Sequence, residues 1–386
     1  MKKRIAYITT SRSDYGPSYW LIHDLFADQR FEMTLVAGGA HLSRMHGNTI
    51  SEIESHGWSS VVKVPFLRLQ PSNEATGSAA ARALDGFSKA FGQIQPDIVI
   101  LYGDRYELLP IATAAVLLRI PIAHICGGDV TEGAFDEQVR HAVSKLAHLH
   151  FPSTEISASR LHQMGEEAWR IHLAGDPCLD HFSRGQHAST DELTDLFGFV
   201  PGHDTLLVTF HPATLDGESV PGQARELALA LKSFNGRIVI TAPAPDPGAD
   251  AIREEFFKLS QERHHTVYID SLGSYRYRGL LSLVGAVVGN SSSGLIEAAS
   301  VPVPVVNIGN RQAGRERGPN VIDVEPSCAD ITTGITQALS PQFRQSLVNL
   351  QNPYGDGHSS SRIITQLANM PDRNQLLMKR FALFGK

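Results

Sequence analysis

The stretch Gly289-Asn290-Ser291-Ser292-Ser293-Gly294-Leu295-Ile296-Glu297 sets hydroxyl donors and glycines between an apolar run, Leu283–Val288, and a helix-like run, Leu295–Ser300. Small residues at a strand-to-helix turn let a phosphate approach unsatisfied backbone N–H groups, and a helix N-terminus favours its charge. Ser291, Ser292, Ser293 and Gly294 are therefore candidate phosphate contacts. Glu297, one helical turn further on, lies within reach of a ribose diol. The same residues also make a plain serine-rich N-cap. Both readings stand at this point.

A second constellation is acidic. In His124-Ile125-Cys126-Gly127-Gly128-Asp129-Val130-Thr131-Glu132-Gly133-Ala134-Phe135-Asp136-Glu137, four carboxylates fall within nine positions. Like charges held that close raise at least one pKa, which suits proton transfer near neutral pH. Arg140 and His141 follow on the next turn and are placed to orient them; a solvated acidic loop is the alternative. Asp104, in Gly103-Asp104-Arg105-Tyr106-Glu107, is either an acid–base group or an N-cap. Arg12, in Ser11-Arg12-Ser13-Asp14-Tyr15-Gly16, either donates bidentate bonds to a diphosphate or is a surface arginine. His211, in Thr209-Phe210-His211-Pro212, suits diphosphate contact or proton transfer. Arg311 and Arg315, in the segment from Asn307 to Arg315, are further candidate phosphate cations.

These groups need elements to hold them. Ile5–Thr9, Met33–Ala37, Ile98–Tyr102, Ile122–Ile125 and His148–Phe151 read as strands, alternating with helices at Pro17–Ala27, Ser78–Gln93, Leu108–Leu118 and Glu137–Ala147. The pattern restarts with strands at Thr205–Thr209, Arg237–Thr241, Thr266–Ile269, Ala286–Val288 and Val303–Asn307. Helices at Gly222–Ser233, Ala249–Ser260 and Gly294–Ala299 separate them. Short apolar runs alternating with helices argue for parallel sheets covered on both faces. The expectation is an α/β chain of two Rossmann-like, doubly wound domains, 1–180 and 181–386, with the polar segment Asp180–Asp204 as the boundary. The final helix is expected to pack back on the first domain. Two such domains leave a cleft between the carboxyl ends of their sheets, and every candidate above follows a strand end.

Composition narrows the class. The chain has 386 residues and a formal charge of −6, with no Lys/Arg cluster, which argues against nucleic-acid binding. No apolar run approaches the ~20 residues of a membrane span, and the start, MKKRIAYITT, has too short an apolar core for a secretory signal. Three cysteines, Cys126, Cys178 and Cys328, form no metal spacing and fit a reducing cytoplasm. The chain lacks the P-loop, an early G-x-G-x-x-G, H-E-x-x-H and G-x-S-x-G, so the common nucleotidase, dehydrogenase, zinc-protease and hydrolase readings have no support.

Taken together, SRSDYG, GDRYE, GGDVTEGAFDEQVRHAVSKLAHLHF, TFHP, GNSSSGLIE, NIGNRQAGR and NPYGDG resemble the hydrolysing UDP-N-acetylglucosamine 2-epimerases that open sialic-acid synthesis. The resemblance runs from Ile5 to Ile363. It implies the GT-B architecture, no cofactor or metal, and a homodimer or homotetramer. It implies a stand-alone epimerase without the kinase domain that some relatives carry. The implied reaction is UDP-N-acetylglucosamine plus water giving N-acetylmannosamine plus UDP, through a 2-acetamidoglucal. By the same resemblance Asp104 lies at the sugar. Asp136, with Glu132 and Asp129 as neighbours, supplies acid–base groups, and Arg140, His141 and His211 match further site positions. Arg12, Ser291, Ser292 and Arg311 match phosphate contacts, and Glu297 the ribose contact. Two departures stand out. Cys126 occupies a position where relatives carry Glu or His, so Asp129 or Glu132 takes that role or the sugar differs. Pro243-Ala244-Pro245-Asp246 replaces the usual Pro-Asn-Ala-Asp. The alternatives are the same chemistry on a UDP- or GDP-linked 2,4-diacetamido-trideoxyhexose, a non-hydrolysing 2-epimerase, a GT-B glycosyltransferase, and a nucleotide-sugar sensor.

Overall fold

The computed structural model describes residues 2–67, 73–132, 136–212, 220–243 and 248–383. Gly133, Ala134 and Phe135 of the acidic loop, and the departures at Ala244, Pro245 and Asp246, lie outside them. The chain divides into two compact units. One comprises Met1–Val130, Phe135–Asp180 and Gly357–Lys386; the other comprises Thr131–Ala134 and His181–Asp356.

Each unit is built on one six-stranded sheet. In the first, β1 (Lys3–Thr9), β2 (Phe31–Gly38), β3 (Val61–Val64), β4 (Ile98–Tyr102), β5 (Ile122–Ile125) and β6 (Leu149–Phe151) lie in the order β3-β2-β1-β4-β5-β6. In the second, β7 (Thr205–Thr209), β8 (Arg237–Thr241), β9 (Thr266–Ile269), β10 (Ala286–Gly289), β11 (Val305–Ile308) and β12 (Val321–Val324) lie in the order β12-β11-β10-β7-β8-β9. All neighbouring strands are parallel.

The central strands are apolar throughout because both faces are covered. Ile5 and Tyr7 of β1 enter one core with the helix Tyr19–Ala27, while Ala6 and Ile8 enter another with the helices Asn73–Ile94 and Leu108–Leu117. The period of two along a strand divides the residues between the faces. In β7, Leu206 and Val208 face one core and Leu207 the other. β3 and β12, which sequence reading did not find, are edge strands with only Val64 fully buried between them. Each is also interrupted by a charged residue, Lys63 or Asp323, which breaks the apolar run.

Order reversal creates a switch point between β1 and β4, and another between β7 and β10. Loops diverge there at the carboxyl ends of the strands, where open α/β sheets bind ligands. The segments carrying Arg12 and Asp104 flank the first switch point; those carrying His211 and Ser291 flank the second.

The last thirty residues, Gly357–Lys386, are counted with the first unit. Ile363, Ile364 and Leu367 of the helix Ser359–Asn369 join Leu21, Ile22 and Leu25 in one core. Charges complement both ends of this helix. Asp180 accepts from the N–H groups of Ser359 and Ser360 at 2.9 and 2.8 Å. At the other end Lys3 Nζ donates to the carbonyls of Leu367, Ala368 and Met370 at 3.1, 2.8 and 3.2 Å. The segment beyond is anchored by buried Arg170, which donates to the carbonyls of Leu376 and Met378 at 3.0 and 3.2 Å. Among the described residues no helix is long and apolar enough to cross a membrane.

Candidate active site

In the first unit the ends of β4 and β5 are gathered by one side chain. Arg140, on the helix Asp136–Leu146, is only 3 % exposed. Its Nη2 pairs with Asp104 Oδ2; its Nη1 lies 3.6 Å from Asp129 Oδ2 and donates to the Cys126 carbonyl at 3.3 Å. A guanidinium suits this because its rigid fork serves several acceptors at once and stays charged when buried. Asp129 is fixed from its other oxygen by the hydroxyls of Ser153 and Ser157, both at 2.6 Å. Asp104 keeps part of its surface open, its side chain 24 % exposed.

Asp136 opens the helix one turn before Arg140. Burial, followed by the charge of Asp104, pushes its carboxyl up to about 6. It is half-buried, so a proton can reach it. A carboxyl poised there exchanges protons close to neutral pH. Asp104, Asp129, Asp136 and Arg140 thus form one connected centre. Glu132 does not join it in the same unit: it is exposed and is counted with the second. His141 is directed to Glu137 on its own helix, at 2.9 Å, and orients that carboxylate rather than the others.

Cys126 adopts a left-handed backbone, φ 58°, which is strained for a side chain with a Cβ. Its thiol points to Asp176, 3.8 Å away, and burial, reinforced by that carboxylate, keeps it protonated. Asp176 is itself buried and accepts from Tyr102 Oη at 3.3 Å and the Cys178 N–H at 3.0 Å. Cys126 is therefore a neutral hydrogen-bonding group. The following glycines are dictated by packing. A Cβ on Gly127 would meet His124 Nδ1 at 2.8 Å, and one on Gly128, whose φ is 79°, would meet the Ser157 carbonyl at 2.3 Å.

Arg12 is exposed, its side chain 59 % accessible and its Nε 4.0 Å from Glu52. The loop that carries it is rigid, through a residue that sequence reading passed over. Buried Asp14 accepts from the Thr9 hydroxyl, the Thr10 N–H and hydroxyl at 3.0 and 2.9 Å, and the Ser11 N–H at 3.1 Å. The spacing Ser11-x-x-Asp14, a capping-box pattern, is the signal that would have found it.

In the second unit the serine stretch begins its helix earlier than expected. The helix is Ser292–Ile296, followed by a 3₁₀ turn at Ala298–Ser300. Ser291 stands at the N-cap but its side chain makes no capping bond. Ser293 Oγ and Tyr277 Oη are both buried, and Tyr277 interacts with Ser293 and Thr209. Glu297 sits at the C-cap of this short helix. The glycines here also answer to packing. A Cβ on Gly289, whose φ is 139°, would lie 2.0 Å from the Thr209 carbonyl, and one on Gly294 would lie 3.0 Å from Val305 Cγ1.

His211 is held by a residue outside the sequence-derived candidates. Its N–H donates to Asn290 Oδ1 at 2.7 Å, and its carbonyl accepts from Asn290 Nδ2 at 2.9 Å. Burial, with a smaller push from Arg311, lowers the imidazole to about 4, so it is neutral at pH 7. A neutral imidazole donates one hydrogen bond and accepts another. Arg311 Nη1 and Gln312 Nε2 both donate to the Asn290 carbonyl, at 3.0 and 2.9 Å.

Residues 23–368 match the family model described as UDP-N-acetylglucosamine 2-epimerase. The chain is 35 % identical to a hydrolysing UDP-N,N'-diacetylbacillosamine 2-epimerase of Legionella pneumophila, over 98 % of this chain and 99 % of the relative. It is 32 % identical to a hydrolysing GDP/UDP-N,N'-diacetylbacillosamine 2-epimerase of Campylobacter jejuni, again over 98 % and 99 %. Its fold is that of the UDP-GlcNAc 2-epimerase of Neisseria meningitidis solved with UDP-GlcNAc, with a TM-score of 0.74 at 19 % identity over 95 % of this chain and 100 % of that one. The architecture is accordingly the GT-B class.

Proposed function

The chain belongs to the UDP-N-acetylglucosamine 2-epimerase family, and from that premise we propose that it is a hydrolysing 2-epimerase of a nucleoside-diphosphate-linked diacetamido-trideoxyhexose. The observation that carries the chemistry is the Asp104–Arg140–Asp129 centre beside Asp136, whose carboxyl sits at about 6. The sugar is suggested by the Legionella and Campylobacter relatives, both named for a diacetamido sugar.

The reaction is an elimination followed by a hydration. A carboxylate takes the C2 proton, a C1–C2 double bond forms, and the C1–oxygen bond breaks with its electron pair leaving on the nucleoside diphosphate. Water then adds its oxygen to C1, and a proton returns to C2 from the opposite face. Two acid–base groups are needed, one per face, and Asp136 and Asp104 are assigned to them, with Asp129 fixing Arg140 behind Asp104. The C2 proton is weakly acidic, so expulsion of a stabilised diphosphate must assist. Ser291, Ser292, Ser293, Arg12 and Arg311 are assigned to that leaving group, and Glu297 to the ribose. His211, neutral near pH 7, contacts the diphosphate as a hydrogen-bond donor. Cys126, a neutral thiol where a carboxylate is expected, fits a sugar whose C4 and C6 substituents differ from those of N-acetylglucosamine. An assembly of two or four copies and a cytoplasmic location belong to the same proposal.

A second reading, hydrolytic epimerisation of UDP-N-acetylglucosamine itself, is favoured by the family description. Turnover of UDP- and GDP-linked diacetamido sugars is to be compared with that of UDP-N-acetylglucosamine, following nucleotide release and the free sugar by NMR. The proposal expects the highest kcat/KM on a diacetamido substrate, with a free sugar inverted at C2. Turnover of UDP-N-acetylglucosamine alone would transfer the assignment to the second reading. Epimerisation with the nucleotide still attached would refute hydrolysis.

A further inference from the structure

Asn290 uses every polar group it has. It is 1 % exposed. Its N–H donates to the Thr209 carbonyl at 3.2 Å, continuing the pairing of β7 with β10 by one residue. Beyond that point β7 and β10 share no further backbone bond among the described residues. The side-chain amide takes over, accepting from the His211 N–H at 2.7 Å and donating to the His211 carbonyl at 2.9 Å. This two-point pairing with one residue's own N–H and C=O requires an acceptor and a donor on one short planar group. Aspartate lacks the donor, serine the reach, and glutamine is one carbon too long. The backbone carbonyl of Asn290, which any residue here would supply, accepts from Arg311 and Gln312 at 3.0 and 2.9 Å.

We propose that the Asn290 side chain is the positioning group of the nucleotide-binding unit, fixing the strand end that carries His211 so that the histidine is set to receive the diphosphate. This rests on the functional reading above. Asn290 itself touches no ligand. It acts by removing motion from the strand end that carries His211, so that the histidine is in place before the ligand arrives. Preorganisation of this kind strengthens binding because ordering is completed in the free protein. It also explains an asparagine immediately before three serines: the serines face the ligand, and the asparagine ties their loop to the end of β7.

A double-mutant cycle on UDP affinity tests this, using Asn290→Ala, His211→Ala and their combination, with calorimetry for binding and thermal unfolding for folding. Each single variant is expected to weaken UDP binding about tenfold or more, and the combination to fall at least about threefold short of the product of the two losses, because the asparagine's effect passes through the histidine. Gln312→Ala, which removes a donor to the Asn290 backbone carbonyl without touching His211, is expected to cost less than Asn290→Ala. Asn290→Ser, the milder truncation, runs the same cycle if the alanine variant does not fold. Wild-type affinity in the Asn290 variants, or losses that simply multiply, would overturn the inference and leave the functional reading standing. A wild-type protein that binds neither UDP nor GDP would instead overturn that reading, and this role for Asn290 with it.

Discussion

The two units share one strand order around their switch points but arm it with opposite chemistry. At the ends of β4 and β5, carboxylates converge on a buried guanidinium, and burial, reinforced by the charge of Asp104, poises the Asp136 carboxyl at about 6. At the ends of β7 and β10 there is no such carboxylate cluster among the described residues. Serines, an asparagine, a neutral histidine and an arginine present donors instead. Tuned proton exchange needs strong internal fields, whereas anion recognition needs fixed dipoles and hydroxyls. The contrast shows how little of the chemistry the sheet decides and how much lies in the first few residues after each strand.

The sharpest way to break this division is to remove charge from the first unit. Asp136→Asn and Asp104→Asn are each expected to lower kcat by about a thousandfold, within the range for a lost acid–base group. UDP affinity should stay within about threefold, since the lost group acts on the sugar. Calorimetry beside steady-state kinetics separates the two effects. Loss of UDP affinity with normal turnover at saturation would reverse the assignment of the units.

A comparable effect, on stability alone, is expected from the packed-back C-terminal segment. Glu166, buried between Lys145, Lys379 and His150, would rise with burial alone, but bonds from His150, Lys145 and Lys379 hold its carboxyl at about 2. Glu166→Gln strands buried ammonium charge and is expected to cost about 3–5 kcal/mol, read from denaturant unfolding. Fully folded variant should bind UDP normally. In the wild type, a folded pKa below the unfolded 4.5 means that Glu166's contribution is complete above pH 4.5 and fades as pH falls towards 2.

In the second unit single donors matter less. Ser291→Ala is expected to weaken UDP about tenfold, the worth of one charge-assisted hydrogen bond, with kcat at saturation nearly unchanged. Arg12→Ala, on its exposed side chain, should also act on affinity. The smallest and most discriminating effect is in the pH profile. If deprotonated Asp136 is the base, kcat/KM should fall about tenfold per unit as pH drops below about 6, and His211, neutral down to about 4, should add no limb between pH 5 and 8. Asp136→Asn should abolish that limb in its residual activity.

Sequence patterning located the central strands because both their faces are buried; Ile98–Tyr102, Ile122–Ile125, Thr205–Thr209 and Arg237–Thr241 match residue for residue, as does the uncharged edge strand Thr266–Ile269. It lost β3 and β12, whose apolar runs are broken by Lys63 and Asp323. Candidates announced by type and strand-end position, such as Asp104, Asp136 and His211, were legible. Their supports were not. Asn290 acts through hydrogen bonds to backbone groups that only the sheet order brings near, and Ser153 and Ser157 reach Asp129 from beyond β6, whereas Asp14 bonds locally and is marked by its spacing from Ser11. Nor can a sequence tell that Gly289 and Gly128 answer to neighbouring carbonyls rather than to a ligand.

The most direct test of the account follows the reaction in deuterated water, with the UDP-linked diacetamido sugar and UDP-N-acetylglucosamine as parallel substrates and NMR as the readout. The account predicts free UDP together with a free sugar inverted and deuterated at C2, and no such product from Asp136→Asn. Product that keeps its original C2 hydrogen, or UDP released without inversion at C2, would contradict it.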